Sequence, residues 1–199
     1  MHDQDYAVIQ RILGGEKNAY AELVDRHKDK AMTLAMKMLK NREESEEALQ
    51  DAFVRAFNAL PRFEWKSSFS TWFYRIVYNV CASELSKRDE KQNLSINDED
   101  DSGIGIELVS DEVPPDLALE SSELSAIVLE EIGKLPDAYG PTFALFLNQD
   151  MSYDEIVEVT GLPLGTIKAR LFRARTLLRD AVVRRMGNQQ VGKQQEKVA

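Results

Sequence analysis

The sequence predicts an all-α protein in which two small helical domains are joined by an acidic flexible linker. Two stretches carry apolar residues at steps of three and four, the first up to about Arg88 and the second from Ser121 onward. Between them, residues 89–116 show no steady period, end in Val113-Pro114-Pro115 and contain ten acidic residues against one basic residue. We therefore predict domains at residues 1–90 and 118–186, a linker at 91–117 and a disordered tail at 187–199.

The charges are unevenly distributed, and cysteine is almost absent. The 199-residue chain has a formal net charge of −9, and residues 89–116 alone sum to −9 (one base, ten acids), so the remainder is neutral overall. Cys81 is the only cysteine, which excludes an internal disulfide and any zinc site with two cysteine ligands. No stretch approaches 18 uninterrupted apolar residues, so we expect a cytoplasmic protein without membrane insertion, and nothing in the sequence requires a cofactor.

Two helices are predicted at the start of the first domain. Residues 4–13 form a short helix that ends at Gly14 and Gly15, and a longer helix runs from about Glu16 to Leu39 with one buried stripe. His27 lies on that stripe. A hydrogen-bonded or half-exposed core histidine is a better interpretation of it than a metal ligand or a catalytic base.

A third helix is predicted from Asn41, a capping residue with Glu44 three positions later, to Pro61. Its apolar face leaves a strongly polar face outward. This polar face suits either a solvated surface or a docking site for a protein, and the residues alone favour the solvated surface.

Aromatic residues are concentrated beside basic ones after Pro61. Seven of the sixteen aromatic residues lie between residues 63 and 88. A helix capped by Ser68 or Ser70 is expected to bury Phe69, Trp72 and Phe73, which is about half of them. Core packing does not explain Trp65 and Lys66 in the approach loop. Rings beside cations suit single-stranded nucleic acid, because bases stack on the rings while cations hold the backbone. At this point core packing and nucleic-acid binding are equally supported.

The second domain is predicted to contain four helices. One begins near Ser121, and Asp137 is a possible cap for the next, whose start Gly140-Pro141 would delay. Ser152 and Glu155 then form a capping box for a short helix. Gly161 permits the positive φ of a sharp corner, and Pro163 prevents a simple continuation. A last helix follows from about Gly165, so the pair forms a helix-turn-helix.

The last helix is basic on the face that its apolar residues leave free. Residues 160–179 carry five basic residues and no acidic one, in a chain of net charge −9. An uncompensated basic helix is an electrostatic footprint for phosphate. Nucleic-acid binding is therefore favoured over a surface hairpin with solvated arginines.

Taken in order, these segments resemble one family, the extracytoplasmic-function (ECF) sigma factors of the bacterial sigma-70 family. ESEEALQDAFVRAF at 44–57 is similar to region 2.2 of that family, and FEWKSSFSTWFYRIVYN at 63–79 is similar to regions 2.3 and 2.4. LPDAYGPTFALFL and SYDEIVEVTGLPLGTIKARLFRARTLL are similar to region 4. The resemblance implies a sigma factor that binds core RNA polymerase, recognises −35 and −10 promoter elements and assists DNA melting.

The resemblance also implies roles for individual residues. Docking on the β′ clamp of the polymerase is assigned to Glu47, Gln50, Asp51 and Arg55. Recognition of the −10 element is assigned to Phe63, Trp65, Ser68, Phe69, Arg75, Tyr78 and Asn79, with Lys87 and Arg88 on the backbone. Recognition of the −35 element is assigned to Lys168, Ala169, Phe172 and Arg173, with Thr166, Arg170 and Arg175 nearer the phosphates. The polymerase β flap, promoter DNA and an anti-sigma factor are further implied partners.

The sequence departs from the family pattern at two of these positions. Trp65 stands where a small residue such as glycine is common, so the −10 loop is expected to be shaped differently. Ala169 stands where a hydroxyl residue is frequent, which removes one possible DNA contact.

Two other functions remain open from the residues. A stand-alone helix-turn-helix regulator would bind a palindromic operator as a dimer, although no heptad or apolar seam predicts a dimer interface. A nuclease-like enzyme would use the run Asp98-Glu99-Asp100-Asp101 with Mg²⁺. A solvated block of like charge is the better interpretation of that run, and we predict no enzymatic activity.

Overall fold

The computed structural model describes residues 4–93, 122–149 and 151–196, and the regular elements in these ranges are all helical. The N-terminal domain contains α1 (Gln4–Leu13), a 3₁₀ turn (Lys17–Ala19), α2 (Tyr20–Leu39), α3 (Arg42–Ala59), a second 3₁₀ turn (Leu60–Arg62) and α4 (Phe69–Asn93). The C-terminal domain contains α5 (Ser122–Gly133), α6 (Gly140–Gln149), α7 (Tyr153–Thr160) and α8 (Leu164–Glu196). The predicted all-α class is confirmed. The acidic run at 98–101 lies outside the described residues.

In the N-terminal domain, α2, α3 and α4 pack around one apolar core. The predicted stripe of α2 is buried, including Leu23 and Leu34. Ala52 and Ala56 are fully buried on α3, where side chains this small let neighbouring helices approach closely. Asn41 accepts a hydrogen bond at 3.2 Å from the backbone N–H of Glu44, so the predicted start of α3 is confirmed.

His27 is buried in this core, as predicted, and it helps to anchor α1. Its Nε2 lies 2.9 Å from Oδ2 of Asp5 in α1, and Arg26 donates a hydrogen bond to the same carboxylate. Burial raises the pKa of Asp5, but the hydrogen bonds and positive charges of His27 and Arg26 outweigh burial and lower it overall. Asp5 is therefore held ionised, and it fixes α1 against α2.

The C-terminal domain is held together by buried residues of α7 and α8 and by an ionic cluster. Ile156 and Leu171 are buried in the core. Arg185 of α8 pairs with Glu130 at 2.5 Å and with Glu131 at 2.9 Å, both on α5. The hydrogen bond from Arg185 lowers the pKa of Glu130 to about 2. The two acidic residues therefore stay ionised near neutral pH and keep α5 against α8.

Two details of the C-terminal domain differ from the sequence-based predictions. Asp137 does not cap α6, so that prediction was wrong. The helix begins at Gly140, and Asp137 lies in the preceding turn, where it accepts a hydrogen bond from Lys40 at 2.7 Å. The delay expected from Gly140-Pro141 is thereby confirmed. The backbone of α8 continues to Glu196 through most of the predicted disordered tail, a segment without proline and rich in the helix formers Gln, Lys and Glu.

The two domains pack against each other through α7 on α4 and α6 on α2. The hydroxyl of Thr71 donates a hydrogen bond to Oε1 of Glu155 at 3.0 Å, and Lys37 donates to the backbone carbonyl of Ile132. Burial lowers the pKa of Lys37. A single apolar cluster of buried side chains runs from Val8 in α1 to Leu178 in α8.

Candidate nucleic-acid and polymerase interfaces

The helix-turn-helix is shaped by local signals at both ends of α7. The side chain of Ser152 accepts a hydrogen bond at 3.3 Å from the backbone N–H of Glu155, whose carboxylate accepts one at 2.9 Å from the backbone N–H of Ser152. At the other end, Gly161 has a φ of 72° and donates its N–H to the carbonyl of Val157. The predicted capping box and glycine corner are confirmed, and α8 begins soon after, at Leu164.

The two faces of α8 separate core residues from candidate DNA contacts. Ile167, Leu171 and Ala174 are buried. Lys168 and Arg173 are exposed, and Phe172 keeps 54% of its surface exposed despite its apolar ring. The remaining −35 candidates are half-buried, namely Thr166, Ala169, Arg170 and Arg175. The helix therefore presents a basic face with one large exposed ring.

Arg175 is held against its own domain. Its guanidinium lies 4.8 Å from the ring centroid of Phe146 in α6, in a cation–π contact. The ring of Phe146 also lies 5.7 Å from that of Tyr153, the first residue of α7. Arg175 is thus positioned close to the structural core of the helix-turn-helix, away from the most exposed face of α8.

The loop before α4 carries a cluster of aromatic rings. The ring centroid of Phe63 lies 4.7 Å from that of Trp65 and 4.9 Å from that of Trp72. All three rings are half-buried and pack on the domain core. Trp65 has a φ of 58°, a value at which glycine is favoured. The backbone at this position thus keeps the left-handed conformation although the residue is not glycine.

Two aromatic residues of α4 lie deep in the core, one as predicted and one not. Phe69, a −10 candidate, is only 1% exposed and stacks at 5.9 Å on Phe73 inside the core, so it is not placed to contact DNA in this packing. Tyr74 is fully buried, which the predicted helix face did not include. Phe69 belongs to the face that was predicted to be buried, whereas Tyr74 was missed because α2 and α3 cover a broader part of α4 than one helical stripe suggests.

The polar −10 candidates on α4 differ in how they are held. Arg75 and Asn79 are exposed and Tyr78 is half-buried. The hydroxyl of Ser68 accepts a hydrogen bond from the backbone N–H of Thr71 at 3.0 Å, which is the geometry of a helix cap. Ser68 therefore has a structural role besides any contact with DNA.

The two basic candidates at the far end of α4 already have acidic neighbours. Lys87 pairs with Glu84 at 2.7 Å, one turn earlier on the same helix. Arg88 lies 4.0 Å from a carboxylate oxygen of Glu44 in α3. Both basic side chains remain exposed, so these surface pairs leave them accessible to phosphate.

The outward face of α3 holds the polymerase-docking candidates and one apolar residue that sequence analysis missed. Glu47 and Gln50 are exposed, and Asp51 pairs with Arg55 at 2.9 Å. Val54 lies among them with 53% of its surface exposed. The sequence did contain a signal for this position of Val54. The residue follows Gln50 and Asp51 by four and three positions and so shares their face of the helix.

Tyr6 is a second residue missed from the sequence. It lies on α1, is 46% exposed, and its ring centroid is 4.8 Å from that of Trp65. The sequence offered only a weak signal, namely an aromatic residue outside the buried stripe of Val8, Ile9 and Ile12. Among the −10 candidates, Phe63 and Trp65 are thus brought together with Tyr6, whereas Arg75 and Asn79 lie farther along α4.

The family comparisons match both domains. Sigma-70 region 2 matches residues 23–91, and Sigma-70 region 4 matches residues 125–178. The ECF RNA polymerase sigma factor SigW of Bacillus subtilis is 35% identical over 173 residues, covering 86% of this chain and 92% of the relative. The chain belongs to the ECF sigma factors.

Further relatives of this ECF sigma factor agree. The RNA polymerase sigma-H factor of Pseudomonas aeruginosa is 30% identical over 182 residues, which is 90% of this chain and 94% of the relative. A relative that matches across both domains favours a sigma factor over a stand-alone regulator, which would share only the helix-turn-helix. The protein is therefore a sigma factor that binds core RNA polymerase and directs promoter-specific transcription initiation.

Solved structures share the fold of this sigma factor. The sigma factor RpoE of Bartonella quintana, solved in complex with the anti-sigma factor NepR, aligns with a TM-score of 0.59 at 21% identity, over 82% of this chain and 96% of that one. CnrH, solved in complex with the cytosolic domain of CnrY, aligns with a TM-score of 0.57 at 22% identity, over 88% and 95%. These likenesses concern the fold alone.

In the described part of this sigma factor, no helix is long and apolar enough to cross a membrane. No group of three or more His, Cys, Asp or Glu side chains within the described ranges is arranged to hold a metal ion.

Proposed function

We propose that this sigma factor divides promoter recognition between its two domains. Residues 1–90 dock on the polymerase and bind the −10 element, residues 118–186 bind the −35 element, and residues 91–117 link them. The protein acts in the cytoplasm on duplex and melted DNA. Base opening needs no covalent chemistry, because binding of the unpaired strand offsets a few kcal/mol of unstacking per base. We therefore assign no catalytic residue.

The observation that carries this proposal is the exposed face of α8. A major groove about 12 Å wide accepts an α-helix, and residues near the N-terminus of a recognition helix contact base edges. Lys168, Phe172 and Arg173 are exposed within the first three turns of α8, while Ile167 and Leu171 face the core. We assign the first three to base contacts at the −35 element. Ala169 lies on the same face, and we assign Thr166, Arg170 and Arg175 to positions nearer the phosphates.

The aromatic loop supports binding of the −10 element. Phe63 and Trp65 are half-buried, so each keeps part of its ring available for an unpaired base. Such stacking contributes about 1–3 kcal/mol per base. We assign Trp65 to this role, with Arg75, Tyr78 and Asn79 farther along the strand and Lys87 and Arg88 on the backbone. Ser68 shapes the loop as a cap, and Phe69 supports it from the core.

The α3 face supports docking on the β′ clamp of the polymerase. Interfaces commonly centre on a few apolar or aromatic anchors with a polar rim. Val54 is an exposed apolar residue surrounded by Glu47, Gln50, Asp51 and Arg55. We propose Val54 as the centre of this surface. The β flap is proposed to contact the C-terminal domain.

An anti-sigma factor is a further proposed partner. Both structural neighbours described above were solved as complexes in which a sigma factor is bound, in one case to the anti-sigma factor NepR. Surfaces that dock on the polymerase are suitable targets for such an inhibitor, because covering them blocks holoenzyme formation directly.

Run-off transcription tests the proposal. Core bacterial polymerase, with and without this protein, is supplied with candidate promoters, and the same DNA is examined by gel shift without polymerase. We expect promoter-specific transcripts only when polymerase and protein are both present. Tight binding of the protein alone to DNA, without transcripts, would contradict the division of labour proposed here.

A further inference from the structure

Trp65 adopts a backbone conformation that bulky residues avoid. At its φ of 58°, Cβ crowds the neighbouring carbonyl, at a cost that glycine does not incur. The other non-glycine residue with positive φ in the described ranges is Lys40, which ends α2 and donates its N–H to the carbonyl of Met36. Trp65 ends no helix. Its conformation is therefore held by the contacts of its side chain.

Two rings contact the indole of Trp65. The centroid of Phe63 lies at 4.7 Å and that of Tyr6 at 4.8 Å, and both rings are inclined to the indole by 52°. Phe63 belongs to the same loop, and its ring also packs on that of Trp72 in α4. Tyr6 belongs to α1, so it ties the indole directly to a second helix.

The helix that carries Tyr6 is firmly attached to the domain. Val8, Ile9 and Ile12 are buried on one face of α1. Asp5, directly before Tyr6, is bound by His27 and Arg26 of α2. The backbone at Tyr6 is thereby anchored while 46% of its surface stays exposed. A fixed support of this kind is suited to holding a strained neighbour in place.

We propose that Tyr6 is a positioning residue for −10 recognition, which holds Trp65 in its left-handed conformation so that the indole is presented to an unpaired promoter base. The inference rests on the proposed −10 role of Trp65. Without the ring of Tyr6, the loop relaxes toward the commoner right-handed or extended conformations and the indole leaves this position. The match to Sigma-70 region 2 begins at residue 23, so Tyr6 lies outside it.

The test uses holoenzyme formed from core bacterial polymerase and the full chain. It is given bubble DNA whose unpaired non-template strand is randomised, and the bound fraction is sequenced. Trp65→Ala is expected to remove the preference at one or two adjacent positions. Tyr6→Ala is expected to weaken the preference at the same positions by about three- to tenfold, a smaller effect than loss of the stacking ring itself. Tyr6→Phe keeps the ring and should behave as wild type.

A matched control and a double-mutant cycle separate positioning from a general structural effect. Leu13 is 45% exposed on the same helix, and Leu13→Ala should leave every preference intact. If Tyr6 acts through Trp65, Tyr6→Ala adds nothing in the Trp65→Ala background. Additive effects, or a Tyr6→Ala variant that selects the wild-type sequences, would overturn the inference. If circular dichroism shows that Tyr6→Ala is unfolded, Tyr6→Leu, which retains apolar volume without the ring, takes its place.

The same experiment distinguishes this inference from the function on which it rests. If wild-type holoenzyme selects no sequence in the unpaired strand, or Trp65→Ala selects as wild type does, the proposed −10 role of Trp65 is wrong and the inference falls with it. If Trp65→Ala loses a preference that Tyr6→Ala retains, the role of Trp65 stands and only the inference about Tyr6 is overturned.

Discussion

The hydroxyl of Thr71 in α4 donates a hydrogen bond to Oε1 of Glu155 in α7, with 3.0 Å between the two oxygens. Thr71 is buried, and its hydroxyl also lies 2.8 Å from that of Ser68. The same carboxylate of Glu155 accepts hydrogen bonds from the backbone N–H and the hydroxyl of Ser152. One side chain therefore both caps the first helix of the helix-turn-helix and joins the two domains.

Loss of this contact should lower stability in a pH-dependent way. Burial raises the pKa of Glu155, but the hydrogen bonds from Ser152 and Thr71 outweigh it and lower the pKa overall. The stabilisation is thus present above the unfolded-state pKa and is lost as the pH falls through the lower folded-state pKa. Thr71→Val should reduce the free energy of unfolding by about 1 kcal/mol at neutral pH, and by less in acid.

Urea unfolding of wild type and variant, at neutral pH and at about pH 4, measures this difference. Thr33→Val is the control, because the Thr33 hydroxyl bonds only within α2, to the carbonyl of Asp29 at 3.0 Å. A Thr71→Val effect that is equal at both pH values would show that Glu155 is not the partner that matters.

The need for a glycine at the corner of the helix-turn-helix can be tested by replacing each of two glycines with alanine. A Cβ at Gly161 would meet no atom within 4 Å, so the cost of Gly161→Ala arises from its φ of 72° alone, about 1–2 kcal/mol. Gly165 lies in α8 with equally open surroundings and no positive φ, so Gly165→Ala should be neutral or stabilising by up to about 1 kcal/mol. Thermal unfolding measures the stability of the two variants. Equal changes in stability would refute the explanation that the positive φ of Gly161 causes the cost.

Arg173 should matter for the −35 element far more than a similar arginine elsewhere on α8. Arg173→Ala is expected to cost about 1–3 kcal/mol of holoenzyme binding to promoter DNA, together with selectivity at one −35 position. Arg184 is also exposed on α8, where its side chain donates to the carbonyl of Asp180 at 3.1 Å. Fluorescence anisotropy at several salt concentrations should show no change for Arg184→Ala. Equal losses would indicate a non-specific charge effect.

Val54 should be required for binding to core polymerase. Val54→Asp places a charge at the centre of the α3 face, and we expect at least about tenfold weaker binding, whereas Val54→Ala should have a smaller effect. Arg42 pairs with Glu46 at the N-terminal end of α3, twelve residues before Val54, so Arg42→Ala serves as the control. Binding is measured with labelled protein and core polymerase, and wild-type affinity of Val54→Asp would exclude this surface.

Trp65 should lose its left-handed conformation when its ring is removed. In the wild type, the contacts of the indole with Phe63 and Tyr6 hold a φ of 58°. In Trp65→Ala the loop relaxes and no Cβ clash remains, so the alanine variant should be at least as stable as Trp65→Gly. Chemical denaturation of the two variants provides the comparison. A glycine variant more stable by about 1 kcal/mol would show that the backbone stays left-handed without the indole, against the proposed role of Tyr6.

Local features of this fold were predictable from the sequence, and long-range ones were not. Ser152 and Glu155 define the start of α7 within four residues, and Gly161 defines its end, so neighbouring residues suffice. The burial of Tyr74 depends on helices that pack over α4 from other parts of the chain. The positive φ of Trp65 depends on Tyr6, 59 residues earlier. The contact of Thr71 with Glu155 depends on the arrangement of whole domains, which helical periodicity does not describe.

The packing of α7 on α4 determines how much DNA the protein can span. Leu164 follows Glu155 by nine residues, so even a fully extended chain keeps the start of α8 within about 32 Å of Glu155, which is hydrogen-bonded to Thr71. Elements centred at −35 and −10 are about 25 base pairs apart, or roughly 85 Å along B-DNA. The separation between Glu155 and the start of α8 is less than half of that distance. Both elements can be occupied only after α7 separates from α4. The stability of the contact between α7 and α4 therefore determines what fraction of the molecules is extended enough to span a promoter.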